Sequence, residues 1–259
     1  MTFADAKQRF SRRVADYARY RPGYPREVLE LLRAGCGLRA DHVVADIGSG
    51  TGLLSELFLK NGNAVFGVEP NREMREAGEQ YLRSYPGFTS VDGSAEGTTL
   101  PNASIDFVTA GQAFHWFEPD KAQAEFRRIL RPPGWAAVIW NDRCISDTQF
   151  GREYEDLLLR FGTDYERVKD AYPESNDMLH FFGEDNFSAG ELPNAQSLDW
   201  EGLGGRLRSS SYAPLEGHVN FAPMIDALRR IFENHQQQGC VRLEYRTHIY
   251  FGRLQDIQE

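Results

Sequence analysis

The residues whose types and spacing could do chemistry begin with Asp46-Ile47-Gly48-Ser49-Gly50-Thr51-Gly52. Three alternating glycines let backbone N–H groups approach a ligand with no Cβ in the way. The run follows the apolar residues 43–47 and leads into Leu53, Leu54, Leu57 and Phe58, so it sits where a strand hands over to a helix. Nucleotide-like ligands bind at such a turn. A dinucleotide fingerprint would need its third glycine at position 53, beneath a pyrophosphate, and that position is Leu53. Asp46 points the same way: an acidic side chain ahead of the turn suits a cationic ligand and repels a pyrophosphate. Glu69 closes the next apolar run, where a carboxylate can accept hydrogen bonds from both hydroxyls of a ribose.

A second set of residues could act on a reaction partner. His115 lies just past the fourth expected strand, where it could deprotonate a hydroxyl or hold a carboxylate. Phe114 and Trp116 could cap a ligand. Tyr17, Tyr20, Arg21 and Tyr24 form an N-terminal segment that could close over the site. Arg21 or Arg208 could grip a carboxylate in a bidentate fashion. Each of these also has a plainer reading as a structural histidine, ordinary aromatic packing or a surface arginine. Asn141-Asp142 ends the fifth expected strand, but no nearby ligand set completes a metal site, and none is expected.

The elements that must position these residues repeat a strand–helix pattern. Residues 43–47, 64–69, 88–91, 105–110 and 135–140 read as buried strands, with parallel pairing implied by the crossovers. Asn71 reads as the N-cap of a helix carrying Met74, Ala77, Gly78, Tyr81 and Leu82 on one face. Glu118-Pro119 opens another helix, ended by Arg131-Pro132-Pro133-Gly134. Ahead of the core, Phe10, Val14, Tyr17 and Ala18 have helical spacing, and a second helix starts at Pro25 and stops at Gly35 or Gly37. After it, Phe150, Tyr154, Leu157, Leu158 and Phe161 open an inserted helical lid, 150–183. A sixth strand is expected at 196–200, followed by a Gly/Ser-rich stretch, 202–212. A helix through Met224, Leu228 and Phe232 then precedes strictly alternating residues from Val241 to Phe251, read as an antiparallel strand.

Composition bounds the function. The chain has 259 residues, 41% hydrophobic and 26% charged, enough for one α/β domain with a sizeable insertion. A formal net charge of -9 weighs against long nucleic acid as a partner. Residues 1–10 lack the apolar core of a secretory signal, and no apolar run is long enough for a membrane span. Three widely spaced cysteines, Cys36, Cys144 and Cys240, fit a reducing cytoplasm.

Over roughly residues 41–142 the sequence resembles the class I S-adenosylmethionine-dependent methyltransferases. Residues 44–52, Val-Ala-Asp-Ile-Gly-Ser-Gly-Thr-Gly, match that family's first motif. Gly67-Val68-Glu69-Pro70 looks like its second, Gly93-Ser94-Ala95-Glu96 is similar to its adenine-edge motif, and Leu130-Arg131-Pro132-Pro133-Gly134 resembles the segment before strand five. Ser94 replaces the aspartate usual in the adenine motif, and a hydroxyl can still accept that hydrogen bond. The resemblance implies a Rossmann-like, doubly wound α/β sheet of seven strands with the last antiparallel. It also implies S-adenosylmethionine as cofactor, with S-adenosylhomocysteine as product. The cofactor residues it implies are Asp46, Gly48, Ser49, Gly50 and Gly52 on the turn, Glu69, Pro70 and Met74 on the ribose side, and Ser94, Ala95, Glu96 and Gln112.

Tyr20-Arg21-Pro22-Gly23-Tyr24-Pro25, Gln112-Ala113-Phe114-His115-Trp116 and Ser209-Ser210-Ser211-Tyr212-Ala213-Pro214 look like the small-molecule subgroup that includes trans-aconitate methyltransferases. That adds Tyr20, Arg21, Tyr24, Trp116, Arg208 and Tyr212 as acceptor-side candidates beside His115. The acceptor implied is a small molecule, with the carboxylate or hydroxyl of an organic acid among the choices. An Asn/Asp-Pro-Pro-Tyr motif for exocyclic base methylation is absent; the position reads Gln112-Ala113-Phe114-His115. A single domain is expected, with a helical cap at 1–36, a cofactor core at 41–142 and a sheet completion at 194–253, in a monomer or homodimer. A nicotinamide-dependent dehydrogenase is disfavoured by Leu53 and Asp46, whereas a non-catalytic cofactor-binding protein stays open.

Overall fold

The computed structural model describes residues 13–145, 147–169, 175–184 and 186–254. Phe10 of the first expected helix, residues 1–10 and part of 150–183 lie outside them. Two helices, α1 (Val14–Tyr20) and α2 (Glu27–Cys36), precede β1 (Val43–Ile47), α3 (Leu53–Asn61), β2 (Ala64–Val68), α4 (Arg72–Leu82) and β3 (Phe88–Val91). Then come β4 (Ile105–Gly111), α5 (Pro119–Ile129) and β5 (Leu130–Arg143), followed by α6 (Gln149–Phe161), α7 (Tyr165–Lys169) and α8 (Ser175–Phe182). The chain closes with β6 (Phe187–Leu198), α9 (Trp200–Arg208), α10 (Phe221–His235) and β7 (Val241–Gly252). The seven strands form one sheet in the order β3-β2-β1-β4-β5-β7-β6. Only β7 is reversed, antiparallel to both β5 and β6. This is the doubly wound sheet expected from the sequence.

The central strands are apolar on both faces because helices cover both. Ala45 and Val108 face one core with Phe126, Ile129 and Phe181, while Val44 and Phe107 face the other with Leu32, Phe58 and Phe251. That two-residue alternation sends each strand's side chains into opposite layers. A third core joins α6, α9 and α10 to β7 through Leu158, Leu203, Leu228 and Tyr245. Local chemistry fixes the helix starts: the Asn71 side chain accepts from the Met74 N–H at 3.1 Å, as its N-cap position predicts. Gly37 closes α2 in the left-handed conformation.

Four details depart from the sequence expectations. The second helix starts at Glu27 rather than Pro25. The chain between Leu130 and Trp135 is an excursion: Ile105 pairs with Leu130, yet Phe107 already pairs with Trp135. The sixth strand starts at Phe187, well before residues 194–196, and ends at Leu198. It is an edge strand, mostly half-buried or exposed, so no apolar alternation marks it. Trp200 and the glycines after it belong to α9, capped by Asp199, whose carboxylate accepts from the Gly202 N–H at 2.7 Å. Helical glycine is costly, and here it admits a ring: a Cβ on Gly205 would lie 2.1 Å from the Tyr20 side chain. In this way α9 receives α1.

Candidate active site

The site forms at the carboxyl ends of β1, β4 and β5, and its floor is the turn after β1. Gly48, Gly50 and Gly52 all have positive φ, 68°, 56° and 87°, in the region that favours glycine. Space is equally tight: a Cβ on Gly48 would sit 2.6 Å from Ala113 Cβ, and one on Gly52 2.5 Å from Leu82 Cδ1. Gly48 N and Ser49 N both donate to Val68 O, tying the turn to β2.

Two carboxyl groups flank this turn. Asp46 is fully buried; Ser55 Oγ donates to its Oδ2 at 2.6 Å and Thr109 Oγ1 lies 3.4 Å from its Oδ1. Burial pushes its pKa up to about 7 against those hydrogen bonds. Glu69 is also buried and accepts from Gly50 N at 2.9 Å and Asn71 N at 2.8 Å, while Arg75 donates to its backbone carbonyl. Burial raises the pKa of Glu69 as well. A turn bracketed by two carboxyl groups is a poor seat for a pyrophosphate. It fits a ligand that offers hydroxyl donors and a positive centre.

Above the floor lies a cavity of about 50 Å³ that opens to solvent. Tyr17, Arg21 and Tyr24 line it from the N-terminal segment, Gln112 and Asn141 from the ends of β4 and β5, and Arg206 and Tyr212 from the far side. The segment is pinned across the strand ends. Gly23 O accepts from Asn141 Nδ2 at 3.2 Å and Asn194 Nδ2 at 2.9 Å, and Arg21 donates to Ser209 O at 3.0 Å. Asn141 Oδ1 in turn accepts from Asn194 and from Thr247 Oγ1 at 3.0 and 2.6 Å. Gln112 has φ 54°, a strained value for a side chain-bearing residue, and its Oε1 accepts from Asn141 N.

The candidates from the sequence divide between cavity wall and packing. Asp46, Gly48, Ser49, Gly50, Gln112, Arg21, Tyr24 and Tyr212 line the cavity. Glu69 stands behind Gly50, and Met74 approaches the same turn, its Cε 3.3 Å from where a Gly50 Cβ would be. On the adenine-motif side, Ala95 is in the core and Glu96 accepts from the Glu118 N–H at 2.9 Å. Trp116 and Phe114 belong to the apolar core, where Phe114 meets Phe181 edge-on. His115 lies tilted against Trp116 off the central cavity, and desolvation holds its pKa below the usual imidazole range. Tyr20 donates to Glu201 at 2.9 Å and packs on Gly205, also off the cavity. Arg208 is half-exposed and paired with Asp16 at 3.1 Å, so the cavity receives Arg206 in its place.

Arg206, Arg143 and Tyr165 are the wall residues that sequence reasoning passed over. Arg143 is buried against Glu155 at 3.2 Å, and Tyr165 donates to the same carboxylate. Arg206 is 4% exposed; it donates to Tyr245 Oη at 3.1 Å and Ser210 Oγ at 3.0 Å. Burial opposes ionisation of Tyr212, yet the charges of Arg143, Arg206 and Arg21 together hold its phenol below the usual range. A signal for Arg206 was present: it shares one helical face with Leu203 and Leu207, whereas Arg208, two residues on, faces elsewhere.

Residues 45–138 match the family model described as a methyltransferase domain. An uncharacterized methyltransferase of Mycobacterium tuberculosis is 34% identical over 160 residues, 61% of this chain and 62% of that protein. The chain therefore spans less than two thirds of the mycobacterial relative. An uncharacterized methyltransferase of Oceanobacillus iheyensis is 30% identical over 152 residues, 56% of this chain and 68% of its own length. The chain belongs to the methyltransferase family. Among solved structures, a candidate type II methyltransferase from Anaeromyxobacter dehalogenans superposes with TM-score 0.65 at 25% identity, covering 92% of this chain and all of that one. A phosphoethanolamine N-methyltransferase of Haemonchus contortus, solved with S-adenosylhomocysteine, shares the fold at TM-score 0.56 and 13% identity.

Proposed function

We propose that this methyltransferase-family chain transfers a methyl group from S-adenosylmethionine to an oxygen of a small organic acid, its carboxylate or a hydroxyl. The observation that carries this reading is the pairing of a carboxyl-flanked glycine turn with an arginine- and tyrosine-lined chamber in one cavity. The donor, when bound, supplies a methyl group on a positive sulfur that a nucleophile displaces in line. Glu69, held by the Gly50 and Asn71 N–H groups, offers its remaining carboxylate lone pairs to the ribose hydroxyls, with Pro70 and Met74 beside it. Asp46 balances the positive end of the ligand through the turn of Gly48, Ser49, Gly50 and Gly52. Ser94, Ala95 and Glu96 border the adenine, and Gln112 marks the boundary between donor and acceptor.

Alignment and water exclusion supply the rate in such a displacement. His115 lies off the cavity and holds a proton poorly, so base catalysis is not assigned to it. Tyr24, half-buried over Gly111, closes the chamber from the N-terminal segment, and Tyr165 closes it from the helices between β5 and β6, which serve as the lid. The test is transfer of label from methyl-labelled S-adenosylmethionine to an organic-acid panel. Labelled ester or ether supports the reading. Tight S-adenosylhomocysteine binding with no transfer to any acceptor marks a cofactor-binding protein and overturns it.

A further inference from the structure

Arg206 is a buried cation with no carboxylate beside it among the described residues. Its hydrogen-bond partners are the neutral hydroxyls of Tyr245 and Ser210, and the phenols of Tyr154 and Tyr212 are its other close neighbours. Tyr154 Oη, on a residue 2% exposed in the core behind the wall, has no hydrogen-bond partner among the described residues. Arg143, the cation that shares this end of the cavity, already has Glu155. Burying a guanidinium with only neutral partners costs several kcal/mol, and a leucine or methionine would fill the same face of α9 without that cost. Arg206 and the Tyr212 phenol, side by side in the cavity wall with no carboxylate against the guanidinium, describe a seat for an anion that arrives from outside.

The seat is reached from a different strand than the glycine turn. Tyr245, to which Arg206 donates, is on β7, three strands from β1 in the sheet order. At the usual strand spacing β1 and β7 themselves lie about 14 Å apart. A carboxylate held by a guanidinium has its lone pairs engaged and is a weak nucleophile. The anchored group is therefore distinct from the group that is methylated.

Resting on the function proposed above, we infer that Arg206, with Tyr212, binds a carboxylate handle on the acceptor, so that the acceptor carries this handle and a separate nucleophile. Arg206 is then the specificity-determining residue of the far chamber. Arg206→Met tests this directly. Removing a buried cation that has no carboxylate partner is expected to raise the melting temperature of the unliganded protein, while Tyr245 keeps its hydrogen bond to Gln196. In the wild type saturated with S-adenosylhomocysteine, succinate, citrate or salicylate at about ten times its Kd is expected to raise the Tm by roughly 3–6 °C. In Arg206→Met that increment should vanish, and Arg206→Lys should restore only part of it. A lower unliganded Tm for Arg206→Met makes the residue structural and overturns the inference. Equal stabilisation of wild type and Arg206→Met by the acids, or none in either, overturns it too. Calorimetry with S-adenosylhomocysteine alone keeps the two proposals apart. Loss of binding in the wild type sinks the cofactor reading, whereas unchanged binding with no acid effect sinks only the handle.

Discussion

Asp46 is buried at a cost. Its pKa of about 7 lies above that of an unfolded carboxyl, so the stability linked to its protonated form is complete below about pH 4 and is lost as pH rises through about 7. The difference amounts to a few kcal/mol. Chemical denaturation of the unliganded protein is expected to show stability falling between pH 5 and about 8, and Asp46→Asn should flatten that fall. A slope unchanged in Asp46→Asn would assign it to other groups. Glu69 is expected to behave differently. Glu69→Ala removes the acceptor for Gly50 N and Asn71 N as well as for a ribose, and should weaken S-adenosylhomocysteine roughly 10- to 100-fold by calorimetry. An unchanged Kd would remove Glu69 from the site.

At the scale of elements, the N-terminal segment depends on a few contacts that a substitution can release. Gly205→Val would drive a side chain into the Tyr20 ring and is expected to cost about 1–3 kcal/mol. It should raise amide exchange along α1. Asn141→Ala removes links to Gly23, Asn194 and Thr247, and is expected to speed exchange in residues 20–25 while the sheet stays protected. Protection that stays equal in both variants would show the segment held by other means. The sequence showed β1 and β3 at their observed bounds because their place beside a turn or helix cap is written in neighbouring residues. It hid the start of β6, whose edge position imposes no alternation, and the helical state of residues 200–208, whose glycines read as loop until Tyr20 is seen against Gly205. The donor side of the site was readable because its glycines and acids are contiguous. Of the acceptor wall Arg21, Tyr24 and Tyr212 were readable, whereas Arg143, Tyr165 and Arg206 were not, since they converge from distant segments and only the fold decides that Arg206 rather than Arg208 turns inward.

The whole molecule gathers these parts at one edge of the sheet. Order β3-β2-β1-β4-β5-β7-β6 puts the turn after β1 and the tips of β4 and β5 side by side, and the reversed β7 brings Tyr245 and α9 around to close the far wall. Among the described residues no helix is long and apolar enough to cross a membrane. The central claim is the identity of the ligand on that turn, and titration calorimetry with S-adenosylmethionine, S-adenosylhomocysteine and NAD measures it most directly. Saturable one-to-one binding of both adenosyl ligands, with no heat from NAD, is the expected result. Binding of NAD with no response to either adenosyl ligand would contradict it.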